Sequence, residues 1–221
     1  MTRSDEALAA RLRERMVAVQ LEQRGIADPR VLAAMRQVPR HAFVSEDDAD
    51  SAYEDRALPI AAGQTLSQPY VVALMLEALA VGADERALEI GAGSGYAAAV
   101  LSRLAREVYA VELDPALVAL ARARLAELGY ANVDLRSGDG ALGWPEHAPF
   151  DAILVSAAAA SVPPALEAQL AARGRMVIPL GPPRGSQSLV RIARLASGAL
   201  ERSDLCEVQF VPFVGASAPS R

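Results

Sequence analysis

The sequence predicts an α/β fold: a doubly wound, mostly parallel sheet, preceded by a helical extension and closed by an antiparallel strand pair. Three observations carry this. Five strand-like runs, residues 86–90, 107–111, 133–136, 150–155 and 175–180, alternate with helical patterns, and strands separated by helices pair in parallel. The first run leads straight into Gly91-Ala92-Gly93-Ser94-Gly95 and then a helix, the order of a nucleotide-binding, Rossmann-like βαβ unit. Two last runs, 188–195 and 204–211, flank the turn Ser197-Gly198 and read as antiparallel.

Taken in order, residues 5–24 form a helix. Ser4 or Asp5 caps it, and Leu8, Leu12, Met16, Val19 and Leu21 supply an apolar face. Gly25 stops it. Asp28 caps a second helix from Pro29, with Val31, Leu32 and Met35 inward, and Val38-Pro39 ends it. Arg40–Val44 is expected to be extended, and the acidic stretch 45–56 a surface loop or short helix. A polar loop, 57–70, opens a helix from Pro69 to Leu79, with Ser67 or Gln68 at its cap. Helices at 95–105, 115–128 and 163–171 then separate the strands. Asp114 caps the second of these and Gly129 closes it. Phe150–Val155 is almost wholly apolar, so it is buried on both faces. The expected division is one domain: 1–60 the helical extension, 61–215 the core, with 57–70 as substrate loop, and 216–221 a flexible tail.

Composition narrows the function. A chain of 221 residues is long enough for one sizeable core. A net charge of −5 means that the surface as a whole is not built for nucleic acid, which leaves a local basic patch open. Cys206 stands alone and the histidines are His41 and His147, so neither a disulfide framework nor a thiolate or multi-histidine metal site is expected. No uninterrupted apolar run reaches the ~20 residues that span a bilayer. Arg3, Asp5, Glu6 and Arg11 do not make a signal peptide. The expectation is a cytoplasmic monomer, using no metal and binding neither nucleic acid nor membrane.

The second strand ends at Glu112, about 20 residues beyond Gly91, where a carboxylate accepts both hydroxyls of a ribose. The glycines, however, do not follow a dinucleotide spacing. Tyr96 fills the sixth position, which G-x-G-x-x-G/A keeps small, and the third glycine comes one residue early. A pyrophosphate cradle is therefore disfavoured. G-x-G-x-G after the acidic strand residue Glu89 is the pattern of methyltransferases that use S-adenosylmethionine, which carries no phosphate.

Several separate stretches resemble one family, the bacterial protein-L-isoaspartate O-methyltransferases. They include Val38-Pro39-Arg40-His41-Ala42-Phe43-Val44, Gly63-Gln64-Thr65-Leu66-Ser67-Gln68-Pro69-Tyr70, Leu88 to Tyr96, Gly138-Asp139-Gly140 and Val177-Ile178-Pro179-Leu180-Gly181. The Gly-Gln-Thr-Leu-Ser-Gln-Pro segment is the specific part, since general methyltransferases lack it. Two positions depart from the family pattern: Ala92, where Thr or Ser is frequent, and Arg173, where Gly is common. The resemblance covers about residues 16–215. It implies methyl transfer from S-adenosylmethionine to the carboxylate of an L-isoaspartyl residue in damaged proteins and peptides, with repair through a succinimide.

By the same resemblance, Ser67 positions the acceptor carboxylate; Thr65, two residues earlier, is placed to help hold carboxylate or cofactor. Gln64 and Leu66 approach the cofactor from above, and Glu89, Gly91, Gly93 and Gly95 line its methionine side. Glu112 binds the ribose, and Asp139 with Gly140 reaches the adenine. Plainer roles stay open: Ser67 as a helix cap, Glu112 as a solvated charge, Asp139-Gly140 as a simple turn, and His41 as a hydrogen-bonded structural histidine. The chemistry asks for no strong base, because a carboxylate is already ionised at pH 7. A small-molecule methyltransferase, a cofactor-binding adaptor and an NAD-dependent oxidoreductase are the competing readings. The 57–70 segment opposes the first, the intact Ser67, Glu112 and Asp139 the second, and Tyr96 the third.

Overall fold

The structure is a computed structural model describing residues 3–183 and 185–215, with side chains from residue 6. The expected tail, 216–221, lies outside the described residues. Helix α1 (Arg3–Arg15) passes into a π-helical turn, Met16–Leu21, and a 3-10 turn, Glu22–Arg24, before Gly25 ends the run at φ 98°. The helix already includes Arg3, so it starts ahead of the expected Ser4 or Asp5 boundary. The wider π turn rotates the apolar face: Met16, Val17 and Leu21 are buried, while Leu8 and Val19 point to solvent. Helix α2 (Pro29–Gln37) is capped by Asp28, which accepts the Arg30 N–H at 2.8 Å. Arg40–Phe43 is a 3-10 turn where an extended segment was expected.

The 57–70 segment is not an open loop. Two very short strands, β1 (Leu58–Pro59) and β2 (Thr65–Leu66), pair antiparallel as a hairpin. Helix α3 (Pro69–Leu79) follows. The alternating units come next: β3 (Arg86–Ile90), α4 (Tyr96–Leu101), β4 (Glu107–Glu112), α5 (Pro115–Glu127), β5 (Val133–Ser137), β6 (Phe150–Val155), α6 (Pro164–Ala168) and β7 (Leu170–Leu180). The closing pair is β8 (Gln187–Arg194) and β9 (Leu200–Val208). Helix α6 is shorter than expected because β7 starts early, its Leu170 pairing with Phe150 across a bulge.

The seven strands lie in the order β5-β4-β3-β6-β7-β8-β9, parallel as far as β7 and antiparallel beyond. Leu88, Ile90, Ile153 and Val155 pack on one sheet face; Ala87, Ala152 and Leu154 pack on the other against the helical extension. Polar ties seat that extension. Glu77 on α3 accepts the N–H groups of Ala27 and Asp28, each at 2.7 Å. Arg30 reaches the carbonyls of Val81 and Leu104. Among the described residues no helix is long and apolar enough to cross a membrane.

Candidate active site

The chain leaves β3 for β4 on one side and later returns to β6 on the other. Open α/β sheets bind ligands at the carboxyl ends of strands at such a switch point. Here β3 delivers Glu89 and Gly91, and β6 delivers Leu154 and Ser156, to one small cavity of about 40 Å³. Thr65, Leu66, Ser67 and Gly93 also line it. Gln64, Gly95, Glu112, Asp139 and Gly140 do not.

Gly93 sits at φ 54°, a left-handed conformation that favours glycine. Its N–H donates to Glu112 Oε2 at 2.8 Å, and the other oxygen of Glu112 accepts the Asp114 N–H at 3.0 Å. Glu112 is only 8 % exposed, so it is no solvated charge. It shapes the glycine turn from the next strand, and each oxygen retains capacity to accept a hydroxyl. Ala92 is not among the left-handed positions, so that departure from the family pattern costs no backbone strain. Gly95 is left-handed too, at φ 88°, and a Cβ there would stand 3.3 Å from Ala121 on α5.

Glu89 is the unusual group. It is buried, Ser156 Oγ donates to its Oε1 at a long 3.4 Å, and its Oε2 has no partner. Burial pushes its carboxyl well above the usual carboxylate range; the Ser156 hydrogen bond opposes this and the Glu112 charge adds to it. The buried Ser94 hydroxyl is unpartnered too. Buried polar groups are normally satisfied, and these two on the cavity wall are open to a polar group of a bound ligand.

Asp139 Oδ1 accepts the Ala141 N–H at 2.9 Å, capping a short 3-10 turn, Gly140–Leu142. The plainer role foreseen for it is therefore real. Gly140 lies so close to Ile90 that any side chain would collide. Over this turn runs the segment after β9: Ala158 donates to the Val211 carbonyl, Phe213 donates to the Ala158 carbonyl, and a side chain at Gly215 would strike the Asp139 carboxylate. Three large apolar residues stay exposed beside these groups in the chain, Leu113, Leu142 and Val214. Sequence reasoning missed them. Leu113 directly follows Glu112, and Leu142 ends the turn that Asp139 caps, whereas Val214 carries no local signal.

The hairpin lies on the glycine turn, with Ile60 Cδ1 3.3 Å from where a Gly93 Cβ would be. Gln64 spends its carbonyl on the Ile60 N–H at 2.9 Å, inside the hairpin. The N-cap of α3 is Gln68, and no side chain caps the helix there. Ser67 is therefore not the helix cap. Its half-buried side chain, with those of Thr65 and Ser156, lines both the cavity and a larger groove of about 600 Å³. That groove is walled on its far side by Gly185, Glu207 and Phe210. The other singled-out residues pack. His41 Nδ1 shares a 2.7 Å hydrogen bond with the Tyr53 hydroxyl, Tyr109 stacks edge-on against Trp144, and the Arg24 guanidinium lies 3.7 Å over the Tyr70 ring. Among the described residues no cluster could hold a metal ion.

Strand order and the cavity at the switch point place the chain in the class of Rossmann-like, ligand-binding α/β proteins. The model of the protein-L-isoaspartate(D-aspartate) O-methyltransferase family matches residues 11–218. A protein-L-isoaspartate O-methyltransferase 2 of Pelobacter propionicus is 56 % identical over 204 residues, 92 % of this chain and 91 % of that one. A protein-L-isoaspartate O-methyltransferase of Methylorubrum extorquens is 58 % identical over 93 % of this chain and 89 % of its own. In structure, a protein-L-isoaspartate O-methyltransferase superposes with TM-score 0.84 at 30 % identity, covering 92 % of this chain and 66 % of that one. One from Plasmodium falciparum, described as putative and solved with S-adenosyl-L-homocysteine, superposes at 0.80 and 25 %, covering 91 % and 98 %. The chain belongs to the protein-L-isoaspartate(D-aspartate) O-methyltransferase family.

Proposed function

We propose that the protein methylates the carboxylate of L-isoaspartyl residues in damaged proteins and peptides, starting their repair through a succinimide. The observation that carries this is the row of hydroxyls, Thr65, Ser67 and Ser156, shared by the cavity and the groove. A group passing from a ligand in one to an acceptor in the other crosses that row. The groove is large enough for a stretch of peptide and opens beside the hairpin that carries the family-specific segment.

S-adenosylmethionine supplies a methyl group already activated by the sulfonium charge. The chain's task is to bind, orient and exclude water. Glu89 and Ser94 hold the polar methionine end, Glu112 the ribose hydroxyls, and the Asp139–Gly140 turn the adenine, with Leu113, Leu142 and Val214 giving the flat ring apolar contact. Gly91 and Gly93 let the backbone pass close by, and Leu66 closes the cavity from the hairpin side. Ser67 and Thr65 donate hydrogen bonds to the acceptor carboxylate and fix one oxygen toward the cavity. Orientation of this kind supplies several kcal/mol of a barrier, roughly up to 7–11 in the best model systems. No proton need move, because the acceptor is already ionised. The protein is read as one domain, a cytoplasmic monomer without nucleic-acid or membrane partners.

Repair itself is the test. Incubating a synthetic L-isoaspartyl peptide with the protein and S-adenosylmethionine converts part of it to the aspartyl form, resolved by chromatography. A peptide left wholly isoaspartyl would refute the proposal.

A further inference from the structure

Arg40 is the largest fully buried side chain in the protein, with none of its surface exposed. Charged groups are buried this deeply almost only when paired. Arg40 has no carboxylate partner: it takes part in none of the ion pairs among the described residues. Asp55, an acid near enough to act on its charge, is held instead by Arg24 at 2.5 Å. The guanidinium spends its donors on backbone. Nε donates to the Ala52 carbonyl at 2.7 Å and Nη2 to the Ser67 carbonyl at 2.8 Å, while Nη1 has no partner. The buried Tyr96 ring lies 4.9 Å from the guanidinium carbon. Burial lowers its pKa, but a guanidinium stays charged at any pH a protein tolerates.

The site above it lacks what Arg40 has. Among the described residues lining the cavity and the groove there is no Arg, Lys or His; the acids are Glu89 and Glu207. Yet an anionic acceptor must settle beside Ser67, close to Glu89. Among the described residues the positive charge hydrogen-bonded to this spot is Arg40, which donates to the Ser67 carbonyl. In a dry interior an unneutralised charge acts over several ångströms with little screening.

We infer that Arg40 is a positioning residue for methyl transfer: it locks the Ser67 turn through two backbone carbonyls and supplies, from below, the positive charge that draws the acceptor carboxylate to Ser67. This rests on the acceptor proposed above. The two parts separate in kinetics. The charge governs how well an anionic acceptor binds, so it shows in KM. The two-carbonyl tie governs how well Ser67 is aimed, so it shows in kcat. Cofactor binding is read separately, since among the described residues Arg40 meets the cavity wall only through the Tyr96 ring and the Ser67 carbonyl.

The test compares wild type, Arg40→Lys and Arg40→Met in methyl transfer to one isoaspartyl peptide, with S-adenosylhomocysteine affinity measured by calorimetry as the check on folding. Arg40→Met is expected to raise KM and lower kcat, for at least a tenfold loss in kcat/KM, with cofactor affinity within about twofold of wild type. Arg40→Lys is expected to keep KM and lose kcat. An isoasparaginyl peptide, the neutral counterpart, serves as competitor; its inhibition constant stays constant between wild type and Arg40→Met while the isoaspartyl KM rises. Wild-type kinetics in a cofactor-competent Arg40→Met would overturn the inference and leave the acceptor assignment standing. No transfer by wild type would overturn both. Should neither variant bind cofactor, the wild type decides: the Arg40 Nε–H nuclear magnetic resonance signal shifts when isoaspartyl peptide is added with S-adenosylhomocysteine and stays still with aspartyl peptide. An unmoved signal in both cases overturns the inference.

Discussion

Gly93 on the glycine turn and Glu112 at the end of the neighbouring strand form a single unit, joined by a 2.8 Å hydrogen bond from the glycine N–H to Oε2. The acid proposed for the ribose is thus also tied to the glycine turn. Glu112→Ala removes that tie together with the proposed ribose contact. It is expected to weaken S-adenosylhomocysteine binding by about 1–3 kcal/mol, the scale of a lost charged hydrogen-bond pair. Calorimetric titration checks this, and equal affinity would dismiss Glu112 from the site.

Glu89 makes a pH-dependent prediction. Its carboxyl is raised by burial, whereas in the unfolded chain it ionises near the ordinary value of about 4.3. A raised folded value gives stability that is complete at low pH and drains away as pH climbs through the folded value. Glu89→Gln is neutral throughout. Without cofactor the variant should melt higher than wild type at pH 8, by at least about 2 °C, and the gap should narrow at pH 5. The same variant should bind S-adenosylmethionine more weakly, because the proposed role of Glu89 is to pair, once ionised, with the ammonium. A constant gap across pH would mean that Glu89 is ionised in the free protein.

Ser67 caps no helix, so removing its hydroxyl should leave stability almost untouched. Ser67→Ala is expected to lower turnover at least tenfold, with cofactor affinity within about twofold and melting within ~1 °C. Unchanged turnover would strip Ser67 of its role and shift attention to Thr65 and Ser156.

Arg173 tests a departure from the family pattern. It stands at φ 63°, where a non-glycine residue costs about 1–2 kcal/mol, while glycine adds back roughly 0.5–1 kcal/mol of unfolded-state entropy. The side chain is exposed. Arg173→Gly should therefore stabilise the fold by roughly 0.5–1 kcal/mol in urea denaturation and leave methyl transfer unchanged. A destabilised variant would show that the exposed side chain makes a compensating contact.

The alternating units were legible because each carries its own local signal. β3 and β6 coincide with their expected bounds, Asp114 caps α5 by accepting the N–H groups of Ala116 and Leu117, and α3 spans Pro69–Leu79 as read. What was hidden depends on distant partners. The strands of the 57–70 hairpin are two residues long, too short for alternation to show. The π turn at Met16 leaves no local signature, so its rotation of the apolar face could not be foreseen. Arg40–Phe43 folds into a 3-10 turn that carries Arg40 inward, against the ordinary preference of a charged residue for the surface. In the site, the glycine motif pointed to Glu89, the strand end to Glu112 and the family resemblance to Ser67. The pairing of Glu112 with Gly93, the empty valence of Glu89 Oε2 and the hydroxyl row shared with Ser156 are geometric, and only the folded chain displays them.

The most direct measurement is methyl incorporation from labelled S-adenosylmethionine into a peptide containing L-isoaspartate, beside the same peptide with ordinary aspartate. Label in the isoaspartyl peptide alone, lost again in mild base as an ester should be, is the predicted result. Equal labelling of both peptides, or of neither while the cofactor still binds, would contradict the assignment of the acceptor.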